Sequence, residues 1–277
     1  MSPDAPQSGS AASPASPASA AARRTYDRFV AIGDSYTEGL DDPTPDGSFR
    51  GWADRFASIL AEASPTVEYA NLAVRGKRID QVVSEQVPAA IDLRPDLVSV
   101  AAGVNDVLRP KVDIDHVADQ LEQSVAAIRD TGADVLLTCV GDPSRRSAVM
   151  GRLASRLAEY DDHVRRIARE HDGLLMDFWG VSLFDDERCW SVDRLHLSAI
   201  GHQRVALAAA EVVGLGDGSW REVLPPALPK PWLTRRRADI EWTIAHLGPW
   251  LGRRLRGTSS GDNVTAKRPQ LQPVVTS

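Results

Sequence analysis

Between residues 26 and 213 the chain alternates short apolar runs with longer segments in which apolar residues return every three or four positions. The short runs at 29–32, 67–71, 97–102, 135–140 and 174–178 predict five β-strands. The longer segments near 52–63, 78–90, 115–129, 146–171 and 198–213 predict amphipathic helices. Two of these carry start signals. Asp113 and Asp115 precede apolar residues at 117, 121, 125 and 128, and Ser198 stands where its hydroxyl can cap the last helix. The strands are apolar on both faces and each is followed by a helix. That pattern predicts an α/β fold of about five parallel strands covered on two sides. In such sheets ligands bind beyond the carboxyl ends of the strands.

Four polar clusters fall at those ends: G33-D-S-Y-T-E-G39, N71-L-A-V-R-G76, G103-V-N-D106 and D193-R-L-H196. Together they contain what acyl transfer needs. A serine hydroxyl is a poor nucleophile without a base, and the imidazole of His196 titrates near neutral pH. Asp193, three residues before His196, is spaced to orient the ring and stabilise its charged form. The negative oxygen formed by attack at a carbonyl needs donors already aimed at it. The backbone N–H groups of Ser35 and Gly76 and the amide of Asn105 are candidates. Singly, each cluster reads as an ordinary cap or turn. Their conjunction, in order and after successive strands, favours chemistry.

These blocks resemble the four conserved blocks of the SGNH hydrolases, also called the GDSL esterase/lipase superfamily, over about residues 26–213. The resemblance implies a flavodoxin-like, three-layer α/β/α sandwich without metal or organic cofactor. It implies Ser35 as nucleophile, His196 as base, Asp193 as its orienting acid, and Ser35, Gly76 and Asn105 as the oxyanion hole. The expected activity is hydrolysis of a carboxylic ester through an acyl-enzyme. Two alternatives stay open: an acyltransferase using the same triad, and a catalytically idle membrane-surface or scaffold protein binding through its basic C-terminus. The lipase elbow G-x-S-x-G is absent around Ser35, and G33-D-S-Y-T-E-G39 is not a dinucleotide fingerprint. His196 and His202 lack further ligands at metal spacing. Asp34 and Asp106 read as loop anchors, Trp52 as core, and His202 as a packing residue.

Composition refines the domain plan. At 277 residues, 43% hydrophobic and 25% charged, the chain can bury a substantial core. The Ala/Ser/Pro-rich residues 1–25 lack the pattern of a secretory signal and predict a disordered tail. The hydrolase domain is expected over 26–215. A Pro-rich strap and basic amphipathic, helical extension follow over 216–256, then a disordered tail over 257–277. Residues 230–277 hold nine Lys/Arg against three Asp/Glu, whereas the whole chain has a net charge of −6. An acidic body argues against nucleic acid as a partner and leaves a small or lipid-like ester as substrate. The basic stretch 230–256 offers contact with an anionic membrane or packing on the body. Arg75, Lys77 and Arg109 near the clusters would suit an anionic leaving group. No run is long enough to span a bilayer, and Cys139 and Cys189 read as free thiols, so a cytoplasmic location is expected.

Overall fold

The computed structural model describes residues 25–145, 150–226 and 261–275. The predicted N-terminal tail, the start of the helix at 146–149 and most of the extension over 216–256 lie outside the described residues. The strands are β1 (Arg28–Gly33), β2 (Glu68–Asn71), β3 (Leu97–Ala101), β4 (Asp134–Cys139), β5 (Leu174–Asp177) and β6 (Arg268–Pro273). The helices are α1 (Ser35–Glu38), α2 (Gly51–Ala63), α3 (Ile79–Gln81), α4 (Val87–Asp92), α5 (Val104–Val107), α6 (Ile114–Arg129), α7 (Ala154–Glu170) and α8 (Ala199–Val212). A wider π-helical turn over Val82–Gln86 joins α3 to α4. The capping residues act as their sequence positions predict: Asp113 accepts from His116 N–H, and Ser198 from Gly201 N–H.

The strand order is β5-β4-β3-β1-β2-β6, with β1 to β5 parallel. Alternate residues of β1 enter opposite layers. Phe29 and Ala31 pack with Trp52, Phe56, Leu60 and Val205 under α2 and α8, while Val30 and Ile32 pack with Val125, Ile128, Val164 and Ile167 under α6 and α7. This is the three-layer α/β/α arrangement, with the flavodoxin-like order 2-1-3-4-5 among the parallel strands. The sequence of connections changes side at β1, so the turn after β1 opens into the crevice where such sheets bind ligands. Ser35 stands in that turn.

The sixth strand corrects the expectation of a disordered tail over 257–277. Arg268–Pro273 pairs antiparallel with β2, placing Tyr69 opposite Gln272 and Asn71 opposite Arg268. The segment is too polar to show strand alternation, but an edge strand needs ladder bonds on one side only and so tolerates Pro269 and Pro273. Leu271 and Val274 reach opposite core layers, and the Arg268 guanidinium lies over Tyr69, 5.2 Å from the ring centre.

Candidate active site

The turn that carries Ser35 is built by backbone constraints. Gly33 ends β1 opposite Ala101 with φ +143°, and a Cβ there would meet the Ala101 carbonyl oxygen at 2.2 Å. The buried side chain of Gln86 closes around the same residue, accepting from Gly33 N–H at 2.7 Å and donating to its carbonyl at 2.9 Å. Asp34 caps α1 by accepting from Tyr36 N–H at 3.0 Å, which leaves Ser35 as the first residue of that turn. Burial pushes the Asp34 carboxyl up to about 6.

The turn preceding α8 supplies the other half. His196 Nε2 lies 3.0 Å from Ser35 Oγ, and His196 Nδ1 lies 2.6 Å from Asp193 Oδ2. Asp193 Oδ1 accepts the backbone N–H groups of Leu195 and His196, each at 2.9 Å, so the acid is fixed by the loop it orients. Arg194 between them has φ +58°, a left-handed conformation that folds Asp193 back toward the ring. Burial disfavours the charged imidazole, but the hydrogen bond and charge of Asp193, with Asp41 and Asp34, outweigh it and raise His196 above 6.5. Burial likewise opposes ionisation of Asp193, yet its bonds to His196 and Ser191 hold it well below the usual carboxylate range.

Gly76 follows β2 with φ +74°, a conformation that favours glycine. Among the described residues, neither its N–H nor that of Ser35 has an acceptor. Glu38 ties their loops together, since its carboxylate accepts Arg75 N–H at 2.7 Å and the Arg75 Nε–H at 3.0 Å. Asn105 donates one amide hydrogen to Asp34 Oδ2 at 2.9 Å and the other to the Lys77 carbonyl at 3.1 Å. Its amide therefore bridges the serine turn and the Gly76 loop. Asn71 serves the architecture, donating to the Thr37 carbonyl and to Tyr69 Oη and accepting from Ala73 N–H. Asp106 anchors the next loop by accepting Ile79 N–H at 2.9 Å.

Ser35, Asn105 and His196 border a cavity of about 180 Å³. The rest of its wall is chiefly apolar, with Leu108, Val140, Leu157, Phe178 and Phe184 among the lining residues. The basic residues flanking Gly76 are both paired: Arg75 with Glu38, and Lys77 with Glu85 at 2.5 Å. Trp52 is fully buried, as its place in an amphipathic pattern predicts.

Residues 31–204, well over half of the chain, match the GDSL-like Lipase/Acylhydrolase family. The chain belongs to that family. It is thereby a hydrolase acting on ester bonds. An arylesterase of Vibrio mimicus is 26% identical over 149 residues, covering 51% of this chain and 70% of the relative. An acetylxylan esterase of Geobacillus stearothermophilus is 24% identical over 218 residues, covering 68% of this chain and 94% of that enzyme. Among solved structures, an alpha/beta hydrolase enzyme from the metagenome of Lake Arreo superposes with a TM-score of 0.59 at 24% identity, over 72% of this chain and 98% of that one. The acetylxylan esterase gives 0.57 at 20% identity, over 72% and 97% of the two chains. Crystal structures of its catalytic mutants carry alanine in place of a serine, an aspartate and a histidine.

In this acylhydrolase the structure brings the sequence-predicted Ser35, His196, Asp193 and Asn105 together around the cavity, with Gly76 on the loop that Asn105 contacts. Sequence reasoning missed Gln86, Glu38, Ser191 and Asp41. None carries a motif signal, because Gln86, Glu38 and Asp41 act on turns distant in sequence, and Ser191 joins Asp193 to Asp41 from 150 positions away. His202, read as a packing residue, is buried at 1% exposure, bonds the Trp52 N–H and the Leu40 carbonyl, and lines the same cavity. No helix among the described residues is long and apolar enough to cross a membrane.

Proposed function

We propose that this acylhydrolase cleaves a carboxylic ester through an acyl-enzyme formed on Ser35. His196 Nε2 takes the Ser35 proton as Oγ attacks the carbonyl carbon, and Asp193 holds the Nδ1–H and stabilises the imidazolium. The oxyanion is met by the N–H groups of Ser35 and Gly76 and by Asn105. The Asn105 bond to the neutral Lys77 carbonyl is the longer of its two, and the charged oxygen is the stronger acceptor that displaces it. His196 then gives its proton to the departing alcohol, the acyl group stays on Ser35, and water attacks with His196 again as base. The observation that carries this reading is the continuous chain Ser35 Oγ–His196 Nε2 at 3.0 Å and His196 Nδ1–Asp193 Oδ2 at 2.6 Å. The catalytic mutants of the acetylxylan esterase replace the same three residue types and support it.

The cavity bears on the acyl half. Its apolar wall favours a hydrocarbon acyl group, and 180 Å³ is small beside the roughly 300–1,000 Å³ of drug-sized ligand sites. Short to medium chains fit that description better than palmitate. The test is hydrolysis of p-nitrophenyl esters from acetate to palmitate by wild type and Ser35→Ala side by side. We expect an optimum between butyrate and octanoate and no turnover by the folded variant. Undiminished hydrolysis by Ser35→Ala would sink the assignment of the nucleophile, and an optimum at palmitate would overturn the acyl-size reading.

A further inference from the structure

The loop between α1 and α2 brings a second carboxylate to the histidine. Asp41 Oδ2 lies 3.8 Å from His196 Nδ1, on the same ring nitrogen that Asp193 occupies at 2.6 Å. The two acids are joined by Ser191, whose Oγ stands 2.6 Å from Asp41 Oδ2 and 2.7 Å from Asp193 Oδ1. A hydroxyl has one proton, so it cannot fully satisfy both carboxylates. Asp193 Oδ1 already receives two backbone N–H bonds, whereas Asp41 Oδ2 makes the shorter contact with Ser191. The proton is therefore best placed toward Asp41.

Asp41 is held for this position. Its φ is +68°, in the left-handed region, and its neighbour Asp42 is buried and fixed by Arg55 Nε at 2.9 Å and by Gly51 N–H at 3.1 Å. Among the described residues, the charged groups facing His196 are Asp193 from its own loop, Asp41 from the loop before α2, and Asp34 from the cap of α1. Two carboxylates about one hydroxyl repel each other until a positive charge arrives between them. That charge appears when His196 takes the proton of Ser35.

We propose that Asp41 is a second positioning carboxylate for His196, coupled to Asp193 through the shared hydroxyl of Ser191. The inference rests on the reading of His196 as the base of Ser35. Asp41 favours the imidazolium over neutral imidazole, adding to Asp193 from the opposite side of Ser191. The side chain is 36% exposed, so water screens the interaction and its effect is moderate. Removing the charge lowers the affinity of His196 for a proton and shifts the acid limb of kcat/KM to lower pH.

The first arm of the test follows the His196 ring by NMR against pH in a Ser35→Ala background, with and without Asp41→Asn. Asn has the same shape as Asp and tolerates a left-handed backbone, so the loop is preserved. We expect the titration to move to lower pH by about 0.5–1 unit; superimposable curves would overturn the proposal. The second arm compares pH profiles of wild type, Asp41→Asn, Asp193→Ala and the double variant on a p-nitrophenyl ester. Asp41→Asn should lower kcat about 3–10-fold with KM unchanged. Asp193→Ala should keep a residual rate that the double variant loses, because Asp41 is then the remaining acid beside Nδ1. Equal rates for Asp193→Ala and the double variant would contradict the coupling. If wild type hydrolyses no ester, the catalytic reading fails alone, and the NMR titration still decides the role of Asp41.

Discussion

His202 accepts the Trp52 N–H at Nδ1, 3.1 Å away, and donates from Nε2 to the Leu40 carbonyl at 3.2 Å. That pair of bonds requires the neutral ring with its proton on Nε2. Burial pushes its pKa down to about 4. Between about 4 and 6.5 the unfolded chain therefore binds a proton that the native state refuses, and stability falls as the pH is lowered through that window. The full difference is worth roughly 3 kcal/mol. Raised carboxyls such as Asp34, at about 6, and Asp161, at about 8, act with the opposite sign, losing stability as the pH rises. Comparing wild type with His202→Gln cancels them. Urea midpoints at pH 7 and pH 4.5 should converge for the two proteins as the pH falls, and a constant gap would show that His202 is not buried neutral. At the same scale, Asn105→Ala removes the proposed side-chain oxyanion donor and should cost about 3 kcal/mol in the barrier. It should appear in kcat as a loss of about a hundredfold or more, with KM little changed, in the p-nitrophenyl assay.

At the scale of elements, the turn after β1 is where sheet and chemistry meet. Gly33→Ala would drive a methyl group to 2.2 Å from the Ala101 carbonyl at φ +143°, breaking the β1–β3 register beside Ser35. We expect a loss of about 3 kcal/mol or more, or failure to fold, read as a drop in Tm or in soluble yield. This glycine was partly legible in sequence, as a turn residue at a strand end before a candidate nucleophile. So were the five parallel strands, because β-branched and Leu-rich runs buried on both faces look alike wherever they occur. The order Ser35, Gly76, Asn105, His196 along successive strand ends was legible for the same reason. Other contributions were not. Gln86 lies in the helix expected over 78–90, but periodicity marks neither its π-helical turn nor its reach to Gly33. Asp41 sits in the stretch D41-D-P-T-P-D-G47, which reads only as an acidic, turn-rich insert until folding lays it beside His196. Polar residues such as these take their meaning from partners some 50 to 150 positions away, and hydrophobic pattern carries no record of that pairing.

At the largest scale, the described C-terminal segment covers the edge of β2 and anchors the region next to the Ser35 and Gly76 loops. The anchor is Lys267. Its ammonium pairs with Asp54 on α2 and donates to the carbonyls of Phe49 and Arg50, both at 2.8 Å. Gly261 packs against the carbonyl of Arg75, one residue before Gly76. Burial opposes charge on both members of the pair, lowering the pKa of Lys267 and raising that of Asp54, so each is stabilised mainly by the other. Removing one partner then leaves a buried charge and two carbonyls unserved. Lys267→Met should destabilise the protein by up to about 3 kcal/mol, less than a fully buried pair because both side chains keep about a fifth of their exposure. Asp54→Leu combined with Lys267→Met removes both charges and should recover a good part of that loss, since an apolar pair of similar volume replaces the ion pair without desolvation. Denaturant midpoints of the two single variants and the double variant give the coupling directly. Additive losses would mean that the strand is held by its ladder to β2 and by Leu271 and Val274, with the ion pair contributing nothing specific.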